Sequence, residues 1–200
     1  WGNEVSLGTG MAADAPGRRK VRINGAPATT HDLGEWLAIL WLTPAMDRLF
    51  QEGAGERRRF LDRMVLALDP AHARRSTAYE TAMRDRNRLL TEWPRVDAAW
   101  LDALEAGMAE HGAAIAAARS GLLTTLQPVL DAAAEGPFAR PSLALIEGDG
   151  AQAAVDAPAF AAALKSSRAR DAAAGRTLIG PHRADLAVTH AAKGQAAAQC

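Results

Sequence analysis

The residues best suited to chemistry lie in one short stretch near the end of the 200-residue sequence. In "GPHRADL", Gly180 and Pro181 are followed by His182, Arg183 and Asp185. An arginine can hold a phosphate, because its guanidinium donates two parallel hydrogen bonds to one oxyanion. The same residues could instead brace an interface or form the turn of a β-hairpin. The stretch by itself leaves these three interpretations open.

Two further groups of charged residues lie in stretches with helical spacing. They are Arg57, Arg58 and Asp62, and then Arg84, Arg86 and Arg88. A solvated helix face with an Arg58–Asp62 ion pair at i and i+4 would explain the first group. Spacing alone favours this interpretation of the first group. The arginines of the second group are displayed around an apolar stripe with spacing close to three and four.

Several kinds of enzyme site are absent from the sequence. There is no Gly-x-x-x-x-Gly-Lys-Ser/Thr loop for nucleotide phosphates, no His-Glu-x-x-His zinc motif and no Gly-x-Ser-x-Gly elbow. The acidic stretch at residues 147–150 lacks the ligand series of a calcium loop, so we interpret it as a plain turn. We therefore expect neither a metal site nor a complete catalytic site in this sequence.

Composition narrows the class of protein further. The formal net charge of zero excludes a basic field over the whole surface, so any contact with DNA must be local. Cys200 is the single cysteine, which excludes an internal disulfide and favours a reducing, cytoplasmic location. No apolar run reaches the roughly 20 residues of a membrane-spanning helix, so we expect no membrane partner.

The elements that must position these residues begin with a β-rich region. Alternating side chains predict strands at residues 4–9 and 18–24, and Asn24-Gly25 is typical of a hairpin turn. A short helical turn follows, and the uninterrupted apolar run at residues 37–42 predicts a buried strand.

A helical region begins at Thr43-Pro44, a good N-cap followed by a suitable first helical residue. Apolar spacing predicts one helix that ends at Pro70 and a hairpin of two long helices, at residues 71–93 and from Pro94 onward. A strand, another helix, and finally a strand, turn and strand at residues 175–190 complete the order. This order predicts a mixed α+β fold.

Two stretches, residues 42–70 and 175–188, resemble blocks of the RecF family, the bacterial recombination and repair ATPases related to SMC and ABC-type heads. The second stretch matches the family's Gly-Pro-His-basic-x-Asp-Leu pattern without exception. The first stretch matches through Pro44, Leu49, Gly53, Arg57, Arg58, Phe60, Leu61 and Asp62. It departs from the family at Ala45, Phe50 and Ala54. The order and spacing of the two blocks fit the family over essentially the whole chain.

The resemblance implies the β-rich edge of an ABC/SMC-type ATPase head with an inserted α-helical hairpin lobe. Residues 1–43 would be the β-rich part of ATPase lobe I, residues 44–174 the helical lobe II, and residues 175–200 the return strands toward the signature motif. It also implies that this sequence is an internal part of a longer protein, with the Walker A loop upstream and the signature and Walker B motifs downstream.

The resemblance further implies ATP and Mg²⁺ in the full-length protein, DNA at gaps or junctions, other Rec repair proteins and an ATP-dependent homodimer. The full-length protein would be a weak ATPase that helps to load the recombinase, whereas we expect these 200 residues alone to bind no nucleotide. His182 and Arg183 would brace the joint between lobe II and the ATPase core, near the dimer interface, with Asp185 orienting one of them.

The resemblance also implies roles for the two charged groups. Arg57, Arg58 and Asp62 would pin the helical insertion to the ATPase core or line a DNA-facing surface. Local, salt-sensitive DNA contact in the full-length dimer is expected from Arg57, Arg58, Arg84, Arg86 and Arg88. The alternative is a helical interaction module with an arginine-rich face and no nucleotide chemistry.

Overall fold

The computed structural model describes residues 4–12, 15–134, 136, 138–146 and 156–199. These ranges contain a small N-terminal sheet, a group of packed helices and a two-stranded sheet. The turn interpreted at residues 147–150 lies outside the described residues.

The N-terminal sheet is an antiparallel meander of β1 (Leu7–Ala12), β2 (Ala15–Ile23) and β3 (Ala26–Ala28). Asn24 and Gly25 have φ angles of 51° and 81°, as a type I′ hairpin turn requires. Pro27 lies in the edge strand β3, where the lack of an N–H group is tolerated. The predicted strands and their turn are therefore confirmed.

The prediction of a buried strand at residues 37–42 is wrong. After the short helix α1 (Thr30–Leu33) these residues form no strand, and 80% of Leu42 and 63% of Leu40 are exposed. Trp41 instead lies against α2, with its ring centroid 5.4 Å from the guanidinium carbon of Arg63. An uninterrupted apolar run predicts burial, but it does not show which element packs against the run or whether a strand pairs with it. Among the described residues, no strand pairs with residues 37–42.

The helical region begins with a 3₁₀ turn at Pro44–Arg48. Four helices follow it: α2 (Ala54–Leu68), α3 (His72–Leu90), α4 (Ala98–Asp131) and α5 (Ala157–Ala174). Helices α3 and α4 form the predicted antiparallel hairpin. Helix α4 is about 50 Å long, and it begins after Asp97, which caps it, rather than at Pro94. Pro128 lies in its last turn without ending it.

The second sheet pairs β4 (Pro141–Ile146) with β5 (Asp185–His190), antiparallel, with Pro141 opposite His190 and Ile146 opposite Asp185. The prediction of strand, turn and strand at residues 175–190 is therefore only half correct, because the second strand forms and the first does not.

The first strand is missing because its backbone donors are used elsewhere. The N–H of Thr177 donates to Asn87 Oδ1 at 2.9 Å, and the N–H of Leu178 donates to Asp171 Oδ1 at 3.1 Å. Side chains thus satisfy the donors that a strand ladder would need. The segment 180–185 leads from α5 into β5 and is not a hairpin turn.

Two apolar clusters form the core. The first joins α2, α4 and the second sheet through Leu61, Val65, Leu122, Leu123, Leu145, Ala184 and Leu186. The second joins α3, α4 and α5 through Tyr79, Met108, Ala109, Ile115, Phe160 and Leu164. The segment 180–185 touches both, because Ala184 belongs to the first cluster and Gly180 faces two aromatic rings of the second. None of the helices in the described part combines the length and the apolar character that a membrane crossing requires.

Candidate functional site

The structure brings together the two blocks of charged residues that the sequence separates. Arg57 donates from Nε and Nη2 to the two carboxylate oxygens of Asp185, at 2.8 and 2.7 Å, across 128 residues of sequence. Arg58 Nη1 donates to the carbonyl of Ala184 at 2.9 Å. Helix α2 is thus fastened to the segment 180–185 at two adjacent residues. These contacts favour the pinning interpretation over a solvated helix face.

Asp62 is held by Arg119 and not by the predicted partner Arg58. Arg119 donates from Nε and Nη2 to its two oxygens, both at 2.8 Å, and His72 Nε2 lies 2.8 Å from Oδ1. Burial by itself would raise the pKa of Asp62, but the hydrogen bonds from His72 and Arg119 hold this pKa below its usual range. Arg119 Nη1 also donates to the carbonyl of Pro181 at 2.7 Å, so α4 is tied to α2 and to the segment 180–185 at once.

His182 is fixed between two partners. Its Nε2 lies 3.1 Å from the carbonyl of Thr177, which can only accept, so Nε2 carries the proton and Nδ1 accepts from the Tyr79 hydroxyl at 2.8 Å. Burial lowers the pKa of His182, and the positive charges of Arg183 and Arg58 lower it further. The imidazole is therefore neutral at pH 7. It is a structural link between α3 and the segment 180–185.

Asp185 contacts neither of the residues that it was predicted to orient. Its two carboxylate oxygens are taken by Arg57, and the partners of His182 are Tyr79 and Thr177. The interpretation of Asp185 as an orienting group for His182 or Arg183 is therefore wrong. Closeness in sequence does not decide the partner of this carboxylate, because His182 and Arg183 lie in a turn and only Asp185 lies on β5.

Gly180 occupies a position that no other residue fits. Its φ is 122°, and a Cβ placed there would lie 2.5 Å from Tyr79 Oη and 2.7 Å from Phe160 Cζ. The backbone therefore passes directly over the aromatic rings of the second core cluster. This contact explains the glycine at the first position of the motif.

Arg183 differs from the other residues of the motif. Its backbone N–H donates to Gly180 O at 2.9 Å, but its half-buried side chain makes no hydrogen bond or ion pair with the described residues. It lies close enough to Arg58 for its charge to act on that guanidinium. The motif thus presents one positive group that the fold does not neutralise.

The second arginine group is divided between interior and surface. Arg86 is fully buried and donates to Glu105, Asp171, Thr177 and the carbonyl of Leu164, all at 2.8 to 2.9 Å. The interpretation of Arg86 as a DNA contact is therefore wrong, since residues two positions apart on a helix face in nearly opposite directions. Arg84 and Arg88 are exposed, and Arg88 lies 3.2 Å from Asp85.

A cavity of about 240 Å³ opens between α2, α3, α4 and the segment 180–185. Arg58, Tyr79, Arg119 and His182 are among its lining residues. Reasoning from the sequence missed Arg119 and Tyr79. Arg119 is the one arginine in the alanine-rich apolar stretch of residues 111–126. Because a charge on a buried helix face needs a partner, this pattern could have identified Arg119 as a residue of the site. Tyr79 carries no comparable signal.

Metal ligands are not assembled at this site. Within the ranges that the structure describes, no three His, Cys, Asp or Glu side chains are placed to share a metal ion. The site consists of arginines, two paired carboxylates and a neutral imidazole. These groups can fix helices relative to a strand and can attract an anion.

Two known proteins that are similar to this chain carry the same name, although no protein-family model matches the chain. The chain is 50% identical over 206 residues to the DNA replication and repair protein RecF of Mesorhizobium japonicum, which covers 98% of the chain and 54% of that relative. It is 50% identical over 203 residues to the protein of the same name from Brucella suis, with 98% and 53% covered. The chain spans about half the length of the curated relatives it matches.

Two solved structures share the fold. One, described as the recombination mediator protein RecF-ATP in the RecFOR pathway, has a TM-score of 0.77 and 20% identity, with 98% of this chain and 54% of that chain covered. The other, described as RecF-ATPrS of the same pathway, has a TM-score of 0.76 and 20% identity, with 92% and 51% covered. The identity to the curated relatives, the shared fold and the two joined motif blocks agree, and this chain belongs to the RecF family.

Proposed function

We propose that the chain is part of a RecF-like, ATP-dependent DNA-binding protein of recombinational repair and replication restart, which helps to load the recombinase at gaps. One observation carries this proposal: the 50% identity, over 98% of the chain, to proteins named DNA replication and repair protein RecF. Structures described as RecF with ATP in the RecFOR pathway support ATP, DNA and other Rec proteins as the ligands and partners of the full-length protein.

Within that protein, this chain would supply the helical lobe and the joint between the lobe and the ATPase core. Two guanidinium–carboxylate forks, Arg57 with Asp185 and Arg119 with Asp62, support this role. A fork fixes the plane of both groups as well as their distance, so movement of β5 is transmitted to α2 and α4. Residues 44–174 would then move as lobe II when the ATPase head closes.

The chain's own residues do not fit ATP and Mg²⁺. The sequence has no glycine-rich lysine loop for nucleotide phosphates. The cavity beside Arg58 has a volume of about 240 Å³, and larger cavities of about 400, 510 and 780 Å³ have no lysine in their lining. In the full-length protein ATP and Mg²⁺ would therefore be held by residues that this chain does not contain. Head closure would reach the chain through the dimer interface, for which Arg183 is the candidate.

The alternative function, a helical interaction module with an arginine-rich face, has less support. Its arginine-rich face contained Arg84, Arg86 and Arg88, and Arg86 is buried in an internal network of hydrogen bonds. The two exposed arginines remain candidates for DNA contact in either function. No observation on the described surface favours a module that acts without ATP.

The proposal is tested by measuring the binding of the full-length protein to a fluorescent gapped duplex with ATP, with ADP and without nucleotide. We expect ATP to tighten binding by about tenfold or more, because a coupling of 1–3 kcal/mol is typical of linked sites. An uninterrupted duplex of the same length serves as the control for the gap. Absence of DNA binding, or equal affinity in all three nucleotide conditions, would contradict the proposal.

A further inference from the structure

Among the three arginines that line the cavity, Arg58 is the one without a carboxylate partner among the described residues. Arg57 takes both oxygens of Asp185, and Arg119 takes both oxygens of Asp62. The one hydrogen bond that Arg58 donates to a described residue runs from Nη1 to the carbonyl of Ala184. Its Nε and Nη2 therefore keep donor capacity that the fold does not use.

The surroundings of Arg58 disfavour its positive charge. Burial lowers the pKa of Arg58, and the charges of Arg119 and Arg183 lower it further, although Asp185 and Asp62 offset part of this effect. An anion beside Arg58 would remove this excess of positive charge. The two aspartates whose charges act on Arg58, Asp185 and Asp62, are both engaged by other arginines.

The cavity in front of Arg58 is large enough to admit one oxyanion group. Its volume is about 240 Å³, and Arg58, Arg119 and the neutral His182 contribute to its lining. Three acidic groups must be counted against an anion. Asp62, which is paired with Arg119, and Glu80 line the cavity, and Glu56 is paired with the lining residue Arg59. The positive side of the cavity is therefore the side of Arg58, next to the segment 180–185.

We propose that this cavity binds a single backbone phosphate of DNA, with Arg58 as its principal donor. The inference rests on the proposed function, because it names the place where the full-length protein would hold its DNA. A single half-exposed arginine gives little affinity for an isolated anion, so the phosphate must belong to a polyanion that also binds elsewhere. DNA meets this requirement and free phosphate does not.

The test is the salt dependence of duplex DNA binding by the full-length protein with ATP, as the slope of log affinity against log salt concentration. Arg58→Gln should reduce the magnitude of this slope by roughly one, the amount expected for one lost phosphate contact. Arg58→Lys keeps the charge and should keep the slope. Glu80→Gln removes the opposing carboxylate and should tighten binding by about twofold to fivefold. Arg170→Gln, which removes an exposed arginine of α5, is the matched control and should leave cavity binding unchanged.

The outcomes separate this inference from the proposed function. If the wild-type protein binds no DNA, the proposed function fails and the inference fails with it. If the wild-type protein binds DNA and Arg58→Gln melts at the wild-type temperature with an unchanged slope, the inference alone is overturned. Inorganic phosphate tests whether the cavity binds a free anion instead of DNA. In that case phosphate would raise the melting temperature of the wild-type protein, Arg58→Gln would abolish this rise, and the slope for DNA would stay unchanged. If Arg58→Gln weakens the dimer and leaves the salt slope of DNA binding unchanged, the anion beside Arg58 would be a carboxylate of a second subunit. Both results overturn the DNA assignment.

Discussion

At the scale of residues, each side chain of the Gly-Pro-His-Arg-x-Asp motif has a geometric task. Asp185 receives the two-bond fork of Arg57, and His182 is held between Tyr79 and Thr177. A lysine at position 57 would keep the charge but lose the fork, since an ammonium cannot donate two parallel hydrogen bonds to a carboxylate. The geometry of the joint therefore depends on the planar guanidinium.

The Asp62 network should make the stability of the chain depend on pH. Because hydrogen bonds hold the pKa of Asp62 below its unfolded value of about 3.9, its contribution is present above that value and is lost as pH falls through the folded-state pKa. Asp62→Asn should cost about 2–4 kcal/mol of unfolding free energy at pH 7, since it leaves the buried Arg119 without its carboxylate. Urea unfolding at several pH values measures the difference between wild type and variant.

We expect this difference to shrink as the pH is lowered from about 5 toward 3, because protonation then removes the same charge from the wild-type chain. Glu110→Gln, which changes an exposed carboxylate of α4, should show almost no difference at any pH and serves as the control. A difference between wild type and Asp62→Asn that stays constant with pH would contradict the assignment.

The sequence allowed the residue types of the site to be predicted, but not most of their partners. Arg57, Arg58, Asp62 and the motif of the segment 180–185 were all identified as candidates. The pairs Arg57–Asp185 and Arg119–Asp62 join residues 128 and 57 positions apart, and no local spacing encodes such pairs. The local i, i+4 pair that spacing favoured, Arg58–Asp62, lost to two long-range contacts.

At the scale of elements, Arg86 joins three helices. It lies on α3, and its partners Glu105 and Asp171 lie on α4 and α5. Arg168 of α5 also donates to Glu105, at 3.0 Å, so two arginines share this buried carboxylate. A polar network of this kind fixes the relative positions of its helices, because any shift would leave buried charges without partners.

Arg86→Met should destabilise the chain by about 3–5 kcal/mol, since it leaves Glu105 and Asp171 buried with fewer cations. Arg88→Met, on the exposed side of the same helix, should cost less than about 0.5 kcal/mol. Urea unfolding followed by circular dichroism compares the two variants directly. Equal stability of Arg86→Met and wild type would show that the network does not hold α3, α4 and α5 together.

The elements themselves were predictable where a periodic pattern or a local signal defined them. The antiparallel hairpin of α3 and α4 and the Asn24-Gly25 turn are confirmed. The strand predicted at residues 37–42 and the first strand predicted within residues 175–190 do not form. In both cases the sequence shows an apolar run, but the hydrogen-bond partners of the backbone decide whether a strand exists.

At the scale of the whole molecule, the segment 180–185 is where the helices meet the second sheet. Its neighbours belong to α2, α3 and α4, and it continues into β5, which pairs with β4. The order of a β-rich region, a helical region and a final strand was predictable from composition and spacing. The meeting point was not, because it depends on contacts between residues more than 100 positions apart.

In the proposed function this segment couples head closure to the position of the helical lobe, and Arg183 offers the most direct test of that coupling. Its side chain makes no hydrogen bond or ion pair with the described residues, so removing it breaks no such contact and leaves a role at an interface to be measured. Arg170→Ala on α5 serves as the control.

The decisive measurement is the ATP affinity of full-length Arg183→Ala beside its sedimentation mass with and without ATP. We expect nearly unchanged ATP binding to the monomer and an ATP-dependent dimer weakened by about tenfold or more, the effect of a buried interface arginine. DNA binding should weaken in parallel with the dimer. Loss of ATP binding without a separate dimer defect would instead make Arg183 a nucleotide ligand, and no change in either quantity would contradict the coupling role.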